Sequence, residues 1–259
     1  MVDVTTDGGA AVVTLNRPQA RNALDTATIA DLTAALRALD ADDSVDAVIL
    51  TGADPAFCAG LDLKELGSTG GILGGGRAAT EAARRGGPIP AMQVPLIGAI
   101  NGAAITGGLE IALNCDFLVA SERAVFGDTH TRVGVQPGWG GAVLLAEAVG
   151  VRRAREMSFT GNFVDADEAL RIGLVNHVVP HAELLPFCVE LAADIGGVDR
   201  DAMRRLRRTY GEIANAVAAG GWEAEAAAAR GWQGRNFDPE EIERRRAGIR
   251  ERGRGQAQR

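Results

Sequence analysis

Glu110 lies three residues beyond Gly107 in the run Asn101-Gly102-Ala103-Ala104-Ile105-Thr106-Gly107-Gly108-Leu109-Glu110. The apolar residues 95–100 before it read as a buried strand, and residues 111–115 after it as a buried helix. The glycine pair therefore sits where a strand hands over to a helix. Glycine lets a ligand approach the backbone closely. The first N–H groups of a helix have no partner inside it and carry a partial positive charge. Such a place stabilises an oxygen that gains negative charge during a reaction. Glu110, in the first helical turn, is placed to carry a proton for the same ligand.

A second loop has the same character. Residues 45–51 (Val-Asp-Ala-Val-Ile-Leu-Thr) form a strand-like run, and Gly52-Ala53-Asp54-Pro55-Ala56-Phe57-Cys58-Ala59-Gly60 follows it. A helix can start within residues 61–66. Two strand ends with free backbone donors can grip one carbonyl oxygen between them. Further along, Asp128-Thr129-His130 follows Phe126-Gly127. Imidazole titrates near neutral pH and serves as a general acid or base, and Asp128 is near enough in sequence to orient it. The alternative is a purely structural histidine. Glu110 likewise has a second reading, charge complementarity to its helix N-terminus. Trp139, in Pro137-Gly138-Trp139-Gly140-Gly141, either walls an acyl pocket or packs. Nothing near Cys58 activates its thiol, and His177 and His181 read as surface or packing residues.

These motifs, taken in order, resemble the crotonase superfamily, the enoyl-CoA hydratase/isomerase family. The resemblance rests on Leu15-Asn16-Arg17-Pro18-Gln19-Ala20-Arg21-Asn22-Ala23-Leu24, Phe57-Cys58-Ala59-Gly60-Leu61-Asp62-Leu63, Asn101-Gly102 through Glu110, Cys115-Asp116, Phe126-Gly127, Gly134, residues 137–141 and Gly173-Leu174-Val175. It spans about residues 1–210. It implies an α/β fold, a crotonase-like ββα spiral core over residues 1–195 with a C-terminal helical trimerisation region over 196–259. It also implies that the backbone N–H groups of Leu61 and Gly107 form an oxyanion hole and that Glu110 is a catalytic carboxylate. Arg21, Ala23, Ala59, Leu61, Asp62, Leu63, Lys64 and Gly107 would line the acyl-CoA, with Arg21 or Lys64 facing phosphates. In well-known hydratases of this family a second glutamate stands three residues beyond the Phe-Gly pair. Here His130 occupies that position.

The resemblance points to hydration of a trans-2-enoyl-CoA through a thioester enolate. Double-bond isomerisation and silent acyl-CoA binding are the alternatives. The implied assembly is a homotrimer or a dimer of trimers. No metal or redox cofactor is implied, coenzyme A entering as part of the thioester substrate.

The elements that must position these groups follow from pattern. Residues 2–5 and 11–15 flank Asp7-Gly8-Gly9, a hairpin signal. Residues 26–40 place Ile29, Leu32, Leu36 and Leu39 on one helical face. Short strands are expected at 117–120 and 124–126. Helices are expected at 141–149, 152–160, 165–172, 183–194, 201–219 and 222–230. The small-residue run 67–76 reads as a surface linker or as a lid over the site. The charged stretch 240–259 reads as a solvated helix with a frayed end, or as a subunit contact or a means of capturing a neighbour's CoA phosphates.

With 259 residues, 46% of them hydrophobic, the chain can bury a large core. A net charge of −7 argues against a general nucleic-acid binder. No apolar run approaches the ~20 residues that span a bilayer. The polar start and three cysteines without metal-ligand spacing fit a reduced cytoplasm.

Overall fold

Gly8, with φ +56°, turns the first hairpin. β1 (Val2–Asp7) and β2 (Ala10–Leu15) pair antiparallel, with Asp7 opposite Ala10. From there the main sheet grows by parallel pairing through β3 (Ala47–Gly52), β4 (Leu96–Ile100), β6 (Phe117–Ser121) and β9 (His177–Val179), in the order β1-β2-β3-β4-β6-β9. The computed structural model describes residues 1–70, 87–236 and 238–256.

All of β3 and β4 is buried, as a parallel sheet covered on both faces requires. Their side chains alternate between two cores. Val48, Leu50, Leu96 and Ile100 join Leu32 and Leu36 of α1 (Thr26–Asp40). Ala47, Ile49, Ile97 and Ala99 meet Leu184, Cys188 and Ala192 of α8 (Leu184–Gly196). Asp25 caps α1, its carboxylate accepting the Thr28 N–H at 2.8 Å.

A second, smaller sheet lies next to the site. It contains β5 (Ala103–Ile105), β7 (Val125–Gly127) and β8 (Val164–Asp165). Here the structure departs from the sequence reading. The chain does not pass directly from β4 to a helix. It first forms β5, a strand too short for periodicity to reveal, which exists because β7 pairs with it. Then come α3 (Gly107–Leu113) and, after β7, the single turn α4 (His130–Val133).

α5 (Gly141–Val149), α6 (Val151–Thr160) and α7 (Ala166–Arg171) fall where expected. The two helices expected over 201–219 and 222–230 are one, α9 (Arg200–Asn236). Gly220-Gly221 does not break it. Glycine in a helix interior costs ~1 kcal/mol against alanine, and the packing of residues 221–229 described below offsets this.

α10 (Pro239–Gln256) is more than a solvated helix. Its Ile242 is buried with Leu66, Val133 and Val135. It packs against α2 (Leu63–Thr69), where Glu243 Oε2 comes within 3.1 Å of a Cβ built on Gly67. The run read as a linker or lid begins as the end of α2, which Gly70 closes at φ +77°; residues 71–76 lie outside the described residues.

Candidate active site

The two donor loops are laced together by backbone hydrogen bonds. Cys58 N donates to Ala103 O at 2.9 Å, and Ile105 N donates to Cys58 O at 3.0 Å. Residue 58 thus runs as a short parallel extension beside β5. This closeness explains a glycine at 108, since a Cβ there would stand 2.1 Å from Cys58 O. A Cβ on Gly107 would stand 3.5 Å from Leu61 N, so the two implied donors face one space. The neighbouring segment 21–24 takes Asp62 N and gives Leu24 N to Gly60 O. In such a ladder the intervening N–H, that of Leu61, points to the opposite edge. Among the described residues, neither the Leu61 N–H nor the Gly107 N–H has a hydrogen-bond partner.

Thr106 gives this geometry a cost. It precedes α3 at φ +55° and ψ −112°, a conformation that β-branched residues avoid. Strain of this kind is of order 1–3 kcal/mol and persists where the surroundings enforce it. Here Thr106 N donates to Gly127 O at 2.8 Å, and its hydroxyl meets that of Thr129 at 2.5 Å. The strained residue turns the chain so that Gly107 N opens α3 towards the Leu61 loop.

Glu110, 4% exposed, is the centre of the polar site. Its Oε1 accepts the N–H groups of Gly138, Trp139 and Gly141 at 3.2, 2.8 and 3.1 Å. Its Oε2 faces His130 Nε2 at 3.2 Å. The other imidazole nitrogen, Nδ1, lies 2.6 Å from Asp128 Oδ1. Asp128 Oδ2 in turn accepts the Ser158 hydroxyl at 2.5 Å. The imidazole is held between two buried carboxylates. Burial opposes its charge, but the Glu110 and Asp128 anions outweigh burial and raise its pKa to about 10. Burial likewise opposes the Asp128 anion, yet the imidazolium and the hydroxyl bring its pKa down to about 2. At neutral pH His130 is therefore an imidazolium, held between Glu110 and the Asp128 anion. Asp128, two residues before the histidine, orients it as its position suggested.

The residues expected to line the ligand gather along one edge. Ala59 N donates to Arg21 O at 3.0 Å, so segments 21–24 and 59–62 run side by side. Arg21 and Lys64 are exposed, while Ala23 is buried. The Asp62 carboxylate is already engaged: it caps α2 through Lys64 N at 3.0 Å and pairs with Arg17 at 3.0 Å. Leu63 begins that helix.

A model of the enoyl-CoA hydratase/isomerase family matches residues 5–232. The chain belongs to this family. It is 44% identical over 203 residues to a probable peroxisomal enoyl-CoA hydratase 1 of Arabidopsis thaliana, covering 77% of this chain and 74% of that one. To a short-chain-enoyl-CoA hydratase of Clostridium acetobutylicum it is 41% identical over 197 residues, with 73% and 72% covered. Its fold matches the crystal structure of an enoyl-CoA hydratase from Mycobacterium tuberculosis H37Rv with a TM-score of 0.82 and 48% identity, covering 90% of this chain and 98% of that one. The α/β crotonase fold follows.

In this member of the crotonase family several site residues carry no signal in the sequence. Ser158 lies on α6, 28 residues after His130, in a helix whose pattern shows only amphipathicity. Thr106 and Thr129 meet because β5 pairs with β7. Trp139 has its ring edge 3.3 Å from where a Gly107 Cβ would stand and sits 7% exposed. It forms a wall beside the Gly107 donor and packs into the core as well. Cys58 is buried, and burial pushes its thiol up to about 12, which leaves it inert. Outside the site, His177 packs edge-on to Phe187 at 5.1 Å, and His181 bridges Ser121 and Asp54.

Proposed function

We propose that this chain is an enoyl-CoA hydratase that adds water to a trans-2-enoyl-CoA, with Leu61, Gly107, Glu110 and His130 as its catalytic residues. The observation that carries the reading is the convergence of two unpartnered N–H groups, from Leu61 and Gly107, beside a Glu110–His130 pair. The thioester oxygen takes both N–H groups, and the enolate that forms on addition is stabilised there. One such donor is worth ~3 kcal/mol in the transition state.

The proton balance closes within the pair. Water gives its oxygen to the β-carbon and a proton to Glu110 Oε2. The imidazolium of His130 gives a proton to the α-carbon as the enolate collapses. Glu110 then returns its proton to His130 across the 3.2 Å contact. The Asp128–His130 pair is neutral overall when the imidazole is protonated. It can therefore stand electrostatically where a neutral, proton-donating carboxylic acid would otherwise be.

The edge formed by Arg21, Ala23, Ala59 and residues 61–64 is suited to the CoA moiety, with Arg21 and Lys64 exposed for its phosphates. We assign the protein to the cytoplasm, and its assembly to a homotrimer or a dimer of trimers. Leu206, Tyr210 and Ile213 form an exposed apolar stripe on α9, at helical spacing, that such an assembly would cover. Among the described residues no helix is long and apolar enough to cross a membrane.

Double-bond isomerisation is the second reading, favoured by His130 standing where hydratases of the family carry a glutamate. Incubation with short- and medium-chain trans-2-enoyl-CoA in deuterated water, followed by mass spectrometry, separates the readings. Net addition of water is expected. Deuterium incorporation without hydration would replace the hydratase reading with the isomerase one. Binding without any chemistry would overturn both. Glu110→Gln should lower kcat by ~10²–10⁴-fold with KM little changed.

A further inference from the structure

Glu225 is a buried carboxylate that the chemistry above does not use. It lies on α9, more than a hundred residues from Glu110, and is 8% exposed. Its Oε1 accepts the Gly140 N–H at 2.7 Å, and its Oε2 accepts the Ala142 N–H at 2.7 Å. Glu110 accepts those of Gly138, Trp139 and Gly141. Five consecutive N–H groups, 138–142, are thus divided between two carboxylates on different helices. The face of α9 that carries Glu225 is built for this loop. Trp222 lies against Gly140, where a Cβ would meet its ring at 2.3 Å, and Ala229 Cβ lies 3.8 Å from where a Gly138 Cβ would stand. Residues 222, 225 and 229 share one helical face.

We propose that Glu225 is a positioning residue of the active site: by holding the Gly140 and Ala142 N–H groups it fixes the 138–142 loop, so that the remaining three N–H groups lock Glu110 Oε1 and leave Oε2 to His130 and the substrate. Without Glu225, the buried Gly140 N–H and the partly buried Ala142 N–H lose their acceptor, and the loop must rearrange to find others. Glu110 would then lose its fixed orientation, and the wall formed by Trp139 beside Gly107 would shift with it. The charges facing the loop are Glu110 from α3, Glu225 from α9, and beyond Glu110 the His130–Asp128 pair. Burial and the Glu110 anion together hold the Glu225 carboxyl above its usual range, against the backbone N–H groups that favour its charge.

The test is Glu225→Gln, with Glu225→Asp beside it. Glutamine keeps one acceptor but turns an NH2 group towards one of the two N–H groups. In Glu225→Gln, below its melting temperature, kcat should fall about tenfold or more with little change in KM. The His130 NMR titration midpoint should move down as Glu110 loses its fixed contact with Nε2, and amide exchange at 138–142 should quicken. A role in packing alone would lower the melting temperature and leave the midpoint and kcat unchanged, which would overturn the proposal. Should Glu225→Gln not fold, Glu225→Asp decides. It keeps the charge but is a methylene shorter, so exchange at Gly140 and Ala142 should quicken; wild-type exchange there would sink the idea.

The proposal uses the hydratase reading only for its kinetic arm. If the wild-type protein hydrates no enoyl-CoA, that reading fails, while the exchange and titration measurements still decide Glu225. The chain has only three histidines, which keeps the His130 signal assignable.

Discussion

His130 stands where a carboxylic acid is expected, and its neighbours decide what it does. Its pKa of about 10 lies above the ordinary 6.5. The stabilisation from its pairing is therefore complete below pH 6.5 and is lost as pH rises towards 10. Over that window one proton contributes up to about 1.4 kcal/mol per pH unit. The melting temperature of the wild type should decline from pH 7 to 10, and His130→Gln should flatten that decline. Asp128 behaves in the opposite sense. Its pKa of about 2 lies below the usual 3.8, so its contribution is present above pH 3.8 and lost as pH falls towards 2. Asp128→Asn removes the anion on Nδ1, and the His130 midpoint should drop by about 1–3 units in an NMR titration. An unmoved midpoint would mean that Glu110 alone holds the proton. The chemistry-bearing types at 110 and 130 were legible because each lies at a fixed offset from a glycine motif. Ser158 was not, because its contact with Asp128 depends on how α6 docks.

At the scale of elements, the site depends on how closely the 57–60 segment approaches β5 and the start of α3. Gly108→Ala would place a methyl 2.1 Å from the Cys58 carbonyl oxygen, a backbone atom that cannot step aside. The two donor loops must then separate. A destabilisation of ~1–3 kcal/mol is expected in denaturant unfolding. A larger relative loss in kcat is expected at temperatures where the variant is folded, because the Leu61 and Gly107 N–H groups no longer meet on one oxygen. The strands and helices that build this approach were largely visible. Residues 26–40 form the helix their periodicity specified. β5 was not visible, since three residues carry no period and its partners lie in β7 and at Cys58. Nor was the continuity of α9, because Gly220-Gly221 reads locally as a stop and only the packing around Gly140 overrides it.

At the scale of the whole molecule, the C-terminal helices close onto the site as well as extending from it. α9 reaches the 138–142 loop through Glu225, and α10 covers α2 through Ile242. The same α9 carries the exposed Leu206, Tyr210 and Ile213. With the proposed trimer, sedimentation should report three chains or six, and Tyr210→Glu should shift the mass towards one. Wild-type protein that sediments as a single chain would remove the assembly proposal without touching the chemistry.

The sequence by itself determined the family and the order of the main strands and helices, and pointed to the two loops and the Glu110 on which the proposed site rests. These are encoded locally, in glycine spacing, apolar periodicity and motif order. The tertiary structure decided what joins them. It set the imidazole of His130 between Glu110 and Asp128 and placed Ser158 behind it. It also brought Glu225, in a helix that reads as ordinary alanine- and glutamate-rich surface, onto the loop that orients Glu110. The physical reason is that a carboxylate's role is set by the donors and charges around it in a dry interior. Those neighbours come from segments whose proximity no local pattern records.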